Sequence, residues 1–385
     1  MSRPTVRVLG THGVPAGYGG FETAAENIAR FLVRRGWRVV VYCQVDGRGP
    51  VTDDTWQGIE RVHIPVEQPG WRGTSLFDLR SIRHAAAHRD LCLTFGYNTA
   101  IFNAAQRLRG IPNVINMDGM EWTRSRWGLT KQGILLANER IACRVGDHLI
   151  ADHPVINDYL RKHARPSKIT TIAYGADPVE DAPTAPLDAL GLRSGEFSTV
   201  ICRPIPENSL LEIVSAFSRR ERHHRLVVLG TFEASGDPYH DEILRAASSE
   251  VVFPGAIYDP DVVAALRFHS RCYVHGHTVG GTNPSLVEAM AAANPVLAHD
   301  NVYNRWVAGD RTRFFSTADE LAQLFDELLD DEEELGAMSK SSRERHRAEF
   351  TWEHVAGQYE RLLRQHLPAS RDRRPVSHLP GRGNT

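Results

Sequence analysis

The stretch VRVLGTHGVPAGYGGFETAAENIARFLVRRGWRVVVY, residues 6–42, carries the fold assignment. Val6 to Leu9 is a short apolar run, as a strand buried on both faces requires. Glycines crowd the segment that follows, from Gly10 to Gly20. Ala25, Ile28, Ala29, Leu32 and Val33 then recur at the spacing that keeps one face of a helix apolar. Gly36 stands where a helix end recruits a left-handed residue, and Trp37 to Tyr42 reads as a second buried strand. Strand, loop, helix and strand in this order predict a parallel sheet, because parallel neighbours need a crossover and the helix supplies it.

Further apolar strands are expected at Leu91 to Phe95, Asn113 to Asn116 and His148 to Ala151. From Gly175 to Gly195 the chain is rich in Pro, Asp and Ala without periodicity, as an interdomain connection would be. A second alternating series follows, with strands at Thr199 to Cys202, Arg225 to Leu229, Val251 to Phe253, Cys272 to His275 and Val296 to Ala298. Helical patterns separate them. The expected class is α/β, with two Rossmann-like domains, residues 1–180 and 181–349, facing each other across a cleft. An amphipathic helix over 350–367 is expected to pack back on the N-terminal domain. Residues 368–385 are polar and Pro/Arg-rich, the composition of a disordered tail.

A chain of 385 residues exceeds the size at which one core usually keeps growing, which agrees with two domains. With 45 basic and 47 acidic residues the net charge is -2, so no basic excess marks nucleic acid as a partner. The five cysteines (Cys43, Cys92, Cys143, Cys202, Cys272) are scattered and never spaced as CxxC, the usage of buried thiols in a reducing compartment. Residues 1–4 lead directly into a strand without a signal-peptide core, and no apolar run reaches the ~18 residues of a spanning helix. A cytoplasmic protein is expected, attached at most to the inner face of a membrane.

Three stretches carry chemistry. Gly280-Gly281-Thr282-Asn283-Pro284 leads into a helix containing Glu288. Glycines let the backbone approach a ligand, and a helix N-terminus offers unpaired N–H groups and positive potential, a setting for a diphosphate. Glu288, about one turn in, could accept hydrogen bonds from ribose hydroxyls. An ordinary tight turn before a buried helix fits the same residues. Gly10 to Gly20 lies at the ligand edge of a parallel sheet, and the absence of GxGxxG argues against a dinucleotide. Arg203, directly after a strand, could pair with phosphate, although alone it reads as a surface arginine.

Other signals have simpler readings. Asp259-Pro260-Asp261 matches DxD, but an N-cap, a proline at N1 and an acid in the first turn describe it as a helix start. His275 and His277 are spaced like metal ligands without a third nearby, so packing or donor contact is expected and no metal site is assigned. From Trp122 to Arg144, Arg124, Arg126, Lys131, Arg140 and Arg144 alternate with Trp127, Ile134, Leu135 and Leu136. Such a stretch fits either a half-buried helix with a solvated basic face or contact with an anionic membrane.

Taken together, GVPAGYGGFET (13–23), NMDGMEWTRSRWG (116–128), IAYGAD (172–177), RPIPEN (203–208), YVHGHTVGGTNPSLVEAM (273–290) and PVLAHDNVYNR (295–305) resemble the retaining GT-B glycosyltransferases of family 4. The closer resemblance is to a bacterial rhamnosyltransferase-like subgroup from polysaccharide clusters. It spans about residues 4–367 and implies a nucleotide-sugar donor on the C-terminal domain and an acceptor on the N-terminal one. No metal or cofactor is implied. Carried over, Arg203 pairs with the diphosphate, Gly281 and Thr282 approach it, and Glu288 holds the ribose. Gly19 and Gly20 close over the donor, and Asp118 or His12 orients the acceptor hydroxyl or the sugar. Asn208, His277, Gly280 and Asn283 complete the expected donor site.

Three positions depart from the pattern. Asn208 stands where the broad family has a lysine, and Gly280 where the first of two glutamates would face the donor sugar. Trp306 replaces a glutamate of the subgroup. The first two substitutions agree with a change of donor, since a deoxysugar needs fewer polar partners. The expected activity is transfer of L-rhamnose from dTDP-L-rhamnose to a hydroxyl of a glycan or polyprenyl-linked acceptor. The alternatives are another dTDP- or UDP-sugar, a sugar-nucleotide epimerase, or a GT-B binding protein with impaired catalysis.

Overall fold

The computed structural model describes residues 3–368 except 18, 69, 125, 126 and 234. Strands β1 (Thr5–Leu9), β2 (Arg38–Asp46), β3 (Thr52–Trp56), β4 (Ile59–Val66), β5 (Leu91–Phe95), β6 (Asn113–Asn116), β7 (His148–Ala151) and β8 (Ile169–Thr171) form one sheet, ordered β3-β4-β2-β1-β5-β6-β7-β8. Only the β3–β4 pair is antiparallel. A second sheet is parallel throughout, ordered β11-β10-β9-β12-β13-β14. Its strands are β9 (Phe197–Ile201), β10 (Arg225–Leu229), β11 (Val251–Gly255), β12 (Tyr273–His275), β13 (Val296–His299) and β14 (Arg313–Phe315). The two Rossmann-like sheets anticipated from the sequence are both present.

The opening unit folds as its pattern requires. Ala25, Ile28, Ala29 and Leu32 of helix Gly20–Arg34 are buried against Val6, Val8 and Val41, whereas Val33 is only half-buried. Gly36 takes φ 84, and the Trp37 N–H reaches back to the Leu32 carbonyl at 3.0 Å, closing the helix end. Hairpin β3–β4 turns on Gln57 and Gly58, both at positive φ, as a two-residue turn between twisted strands demands. The connection after Gly175 is not wholly irregular, since it carries the short helix Ala185–Asp188.

The last helix, Trp352–Gln365, begins two residues later than the apolar pattern suggests because Thr351 caps it, accepting from the His354 N–H at 3.2 Å. Its Val355, Ala356, Tyr359, Leu362 and Leu363 lie in the same core as β1 and helix Gly20–Arg34. The valine and the two leucines each contribute about 1.5–3 kcal/mol on burial, and Ala356 less. The chain therefore passes between the sheets twice. The two crossings are stitched together: Ala176 bridges Thr351, its N–H donates to the Phe350 carbonyl at 2.8 Å, and its own carbonyl meets His346 Nε2 at 3.0 Å. Residues 369–385, expected to be a disordered tail, lie outside the described residues.

Candidate active site between the two sheets

Five loops that leave the C-terminal ends of parallel strands converge between the sheets, the edge where open α/β sheets hold ligands. They follow β1, β6, β7, β9 and β12, and the segment after β8 joins them through Ile172, Ala173 and Tyr174. Between them lies a cavity of about 310 Å³ lined, among others, by Gly20, Asp118, Arg124, Asp152, Arg203 and His277. Asn208, Gly280, Gly281, Thr282 and Asn283 line it as well. A second cavity of about 410 Å³ adjoins it on the N-terminal side and holds His12, Gly19, Glu22 and Asp78. Gly20, Phe21, Asp118 and Glu121 border both.

The cation end is built from both domains. Arg203 leaves β9 and is exposed into the cleft; Asn208 fixes its loop by donating Nδ2–H to the Arg203 carbonyl at 2.8 Å. Arg124 comes from the opposite domain and is held by Glu121, Nε to Oε1 at 2.5 Å. His277 lies between these charges. Burial first, then Arg124 and Arg203, push its imidazole down to about 3, so the ring is neutral at physiological pH. The His277 carbonyl accepts from Asn301 Nδ2 at 3.0 Å and Asn304 Nδ2 at 2.9 Å, which anchors the glycine loop that follows. His277 stacks flat on His275, ring centroids 4.3 Å apart, and among the described residues the pair meets no third metal-ligating group.

The glycine loop enters helix Pro284–Ala291 as the sequence suggests, but its groups are used differently. Asn283 caps that helix, accepting from the Ser285 N–H at 3.0 Å. The Thr282 N–H, expected to face a phosphate, donates to Asp152 Oδ2 at 3.0 Å across the cleft, and the Thr282 hydroxyl donates to the Asp152 carbonyl. Gly20 abuts the helix start, where a Cβ would come within 3.1 Å of Pro284. Gly19, at φ 100, lines the neighbouring cavity instead. Glu288 does not line the donor-side cavity. It is 29% exposed and is drawn to Arg267, Oε2 to Nη2 at 2.5 Å, a partner on the helix Pro260–Phe268 that the sequence does not place there.

At the other end, Asp118 follows β6 in the left-handed region at φ 54, where its N–H is fixed by Asn116 Oδ1 at 3.0 Å. An aspartate held in that conformation at a cavity wall is a strained residue of the kind found at functional sites. His12 faces the second cavity, its backbone N–H bound to Glu22 Oε1 at 2.9 Å. Asp78 in the same cavity is raised to about 6 by burial, against the opposing pull of Thr99 and His12. Asp78, Arg124 and Asp152 are the site residues that sequence reasoning missed as such. Arg124 was legible only as part of a basic stretch, and nothing local distinguishes Asp78 or Asp152.

Trp306 keeps out of the donor-side cavity. Its ring meets His153 edge-on at 4.7 Å and Phe350 at 5.8 Å, an aromatic contact between the domains where a glutamate would leave a charge. Asp259 is a cap, accepting from Asp261 and Val262 N–H groups at 2.9 and 3.4 Å. The basic stretch is broken into the turn Glu121–Thr123 and helix Leu129–Val145; Arg126 lies outside the described residues. No described helix is long and apolar enough to cross a membrane.

Residues 3–177 match the model of a domain of unknown function, DUF1972, and residues 210–361 match a glycosyl transferase-like family model. The chain has the fold of the GT-B glycosyltransferases. Its fold superposes on sucrose-phosphate synthase from Thermosynechococcus elongatus with a TM-score of 0.77, at 17% identity over 94% of this chain and 99% of that one. Anabaena HepE in complex with UDP and glucose gives 0.74, at 14% identity over 94% and 100%. A trehalose-6-phosphate structure from E. coli bound with UDP-2-fluoro glucose gives 0.71, at 13% identity over 95% and 100%. No curated protein matches the sequence.

Proposed function

We propose that this glycosyltransferase moves a sugar from a nucleoside-diphosphate sugar to a hydroxyl of a glycan or lipid-linked acceptor, and that it belongs to the family 4 rhamnosyltransferase-like subgroup. One observation carries the donor assignment: Arg203 and Arg124 reach the same cavity from opposite domains beside the neutral His277. Two guanidiniums and a ring N–H suit a diphosphate whose charge grows as the sugar leaves. Arg124 offsets the missing lysine at Asn208, which serves instead to hold the Arg203 loop. The UDP ligands of HepE and of the E. coli structure support a nucleotide at this place.

The second cavity is the acceptor side. Asp118, at the border of both cavities, orients the acceptor hydroxyl or the donor sugar, with His12 beside it. Glu288, outside the donor-side cavity and paired with Arg267, would reach the ribose only if the nucleoside extends beyond that cavity toward helix Pro284–Ala291. Retention at the anomeric carbon follows from attack on the face that the diphosphate leaves. The acceptor oxygen bonds to the anomeric carbon, the bond to the β-phosphate breaks, and the acceptor proton passes to the departing phosphate oxygen. Closing the cleft excludes water from this step. Leu129 and Ile134, 87% and 54% exposed beside Lys131, would rest on an anionic membrane that carries a polyprenyl acceptor.

The preferred donor is dTDP-L-rhamnose, because Gly280 offers no side chain to a 6-hydroxyl; a UDP-sugar is the second reading, favoured by the ligands of the structural neighbours. Thermal-shift titration with dTDP, UDP, GDP and ADP separates them. Stabilisation by dTDP that is lost in Arg203→Ala supports the first, and preference for UDP supports the second. No response to any nucleotide would overturn the donor assignment, and an inverted anomeric product by NMR would overturn retention.

A further inference from the structure

The cavity between the sheets is bipolar. Arg124, paired with Glu121, and Arg203 both bear on His277 at what we take as one end, and Asp118 bears on Asp152 at the other. The two aspartates are close enough that Asp118 adds to the rise of the Asp152 carboxyl, pushed up to about 7 mainly by burial and opposed by the Thr282 N–H. A diphosphate fits the first end and is repelled from the second. An uncharged polyol fits the second, since each hydroxyl can donate to a carboxyl oxygen.

Asp152 is set there with some care. It directly follows β7, so a parallel strand of the N-terminal sheet aims it across the cleft. Oδ2 takes the Thr282 N–H at 3.0 Å, and the carboxyl lies flat against Gly281, where a Cβ would come within 2.2 Å of one oxygen and 2.3 Å of the other. Its second oxygen, Oδ1, is shut away from solvent and has no hydrogen-bond partner in the structure. A shielded acceptor without a partner is costly unless something supplies the hydrogen. Beside it Gly280, at φ 146, would meet nothing within 4 Å of an added Cβ, so this position has room for a ligand and offers it no side chain.

Resting on the donor reading above, we propose that Asp152 is a specificity-determining residue that hydrogen-bonds a hydroxyl of the donor sugar through Oδ1, delivering from the N-terminal domain the carboxyl that the C-terminal loop lacks at Gly280. The donor is then read by both domains: the diphosphate by Arg203 and Arg124, the sugar by Asp152 against the Gly281 backbone.

The test compares nucleoside diphosphate with nucleotide sugar by calorimetric titration, using dTDP with dTDP-L-rhamnose and UDP with UDP-glucose. For the pair that binds wild type, titrated at about pH 8 where the carboxyl is ionised, Asp152→Ala should weaken the nucleotide sugar about 10-fold or more, in line with a lost hydrogen bond to a charged group, and leave the free diphosphate within about 2-fold. Asp152→Asn, which keeps an acceptor oxygen and the shape, should fall between, and it alone decides if the alanine variant fails to fold. An equal loss for both ligands would make Asp152 merely structural and overturn the proposal. A gain for both would show it to be a latch that the donor displaces, and overturn it too. If wild type binds neither pair, the donor assignment itself fails and Asp152 falls with it; that outcome is distinct because no variant is needed to see it.

Discussion

Trp37 and Glu360, 323 positions apart in the chain, share a hydrogen bond in which the indole Nε1–H donates to Oε1 at 3.2 Å. The same carboxylate takes Arg364 on Oε1 and Arg35 on Oε2 at 3.1 Å, so it satisfies three donors at the seam between the last helix and the first domain.

Burial would raise the Glu360 carboxyl, but Arg364, Trp37 and Arg35 outweigh it and hold the group below its ordinary value. The stabilisation is therefore present above the usual glutamate range and is lost as pH falls through the depressed value. Glu360→Ala should cost about 1–3 kcal/mol at neutral pH by urea unfolding, and less in acid, because the buried Trp37 indole loses its acceptor while the exposed guanidiniums return to water.

The two guanidiniums of the cleft make a binding prediction. Arg203→Ala and Arg124→Ala should each weaken nucleoside diphosphate about 10-fold or more by calorimetry, with little change in melting temperature. Asn208→Ala should cost only a few-fold, since Asn208 acts by holding the Arg203 carbonyl. Equal effects at all three positions would contradict that division.

Stability should also depend on pH through Asp152. Its carboxyl is raised to about 7 in the folded chain from an ordinary value of 3.8. Between those values the unfolded chain is ionised and the folded chain is protonated, so this group's contribution falls as pH rises through that window and is flat above it. Asp152→Asn removes the slope, and the gain over wild type should be larger at about pH 8 than at about pH 4, by up to a few kcal/mol.

Gly281 and Asp152 should behave as one unit. Gly281→Ala places a methyl against both carboxyl oxygens and should destabilise by about 1–3 kcal/mol. In the double variant with Asp152→Ala the clash is gone, so the two losses should fall well short of adding. Simple additivity in thermal unfolding would mean that the contact does not persist in solution.

Much of the fold was legible because parallel strands buried on both faces read as apolar runs. Strands β1, β5, β6, β7, β10 and β13 follow that rule. Hairpin β3–β4 does not: Thr52 to Thr55 are exposed and polar, and their pairing is fixed by the turn at Gln57 and Gly58 rather than by burial. Glycine loops, Arg203 and the Asp259 cap could be read locally, since backbone geometry or capping chemistry dictates the residue type. Asp152 and Arg124 could not, because their roles arise only where two sheets meet. Glu288 shows the converse, as its spacing suggested a ribose contact but it lies outside the donor-side cavity, where Arg267, 21 positions away, claims one of its oxygens.

The paired crossing at Ala176 and Thr351 constrains how such a protein can move. A single connecting strand would act as a swivel, letting one half roll and slide over the other. Two crossing segments tied together by a bridge and its flanking hydrogen bonds resist that roll more than one segment would. The same faces of the two halves are then expected to stay opposite each other as the cleft opens and closes, so their alignment is set by the backbone and not by a ligand.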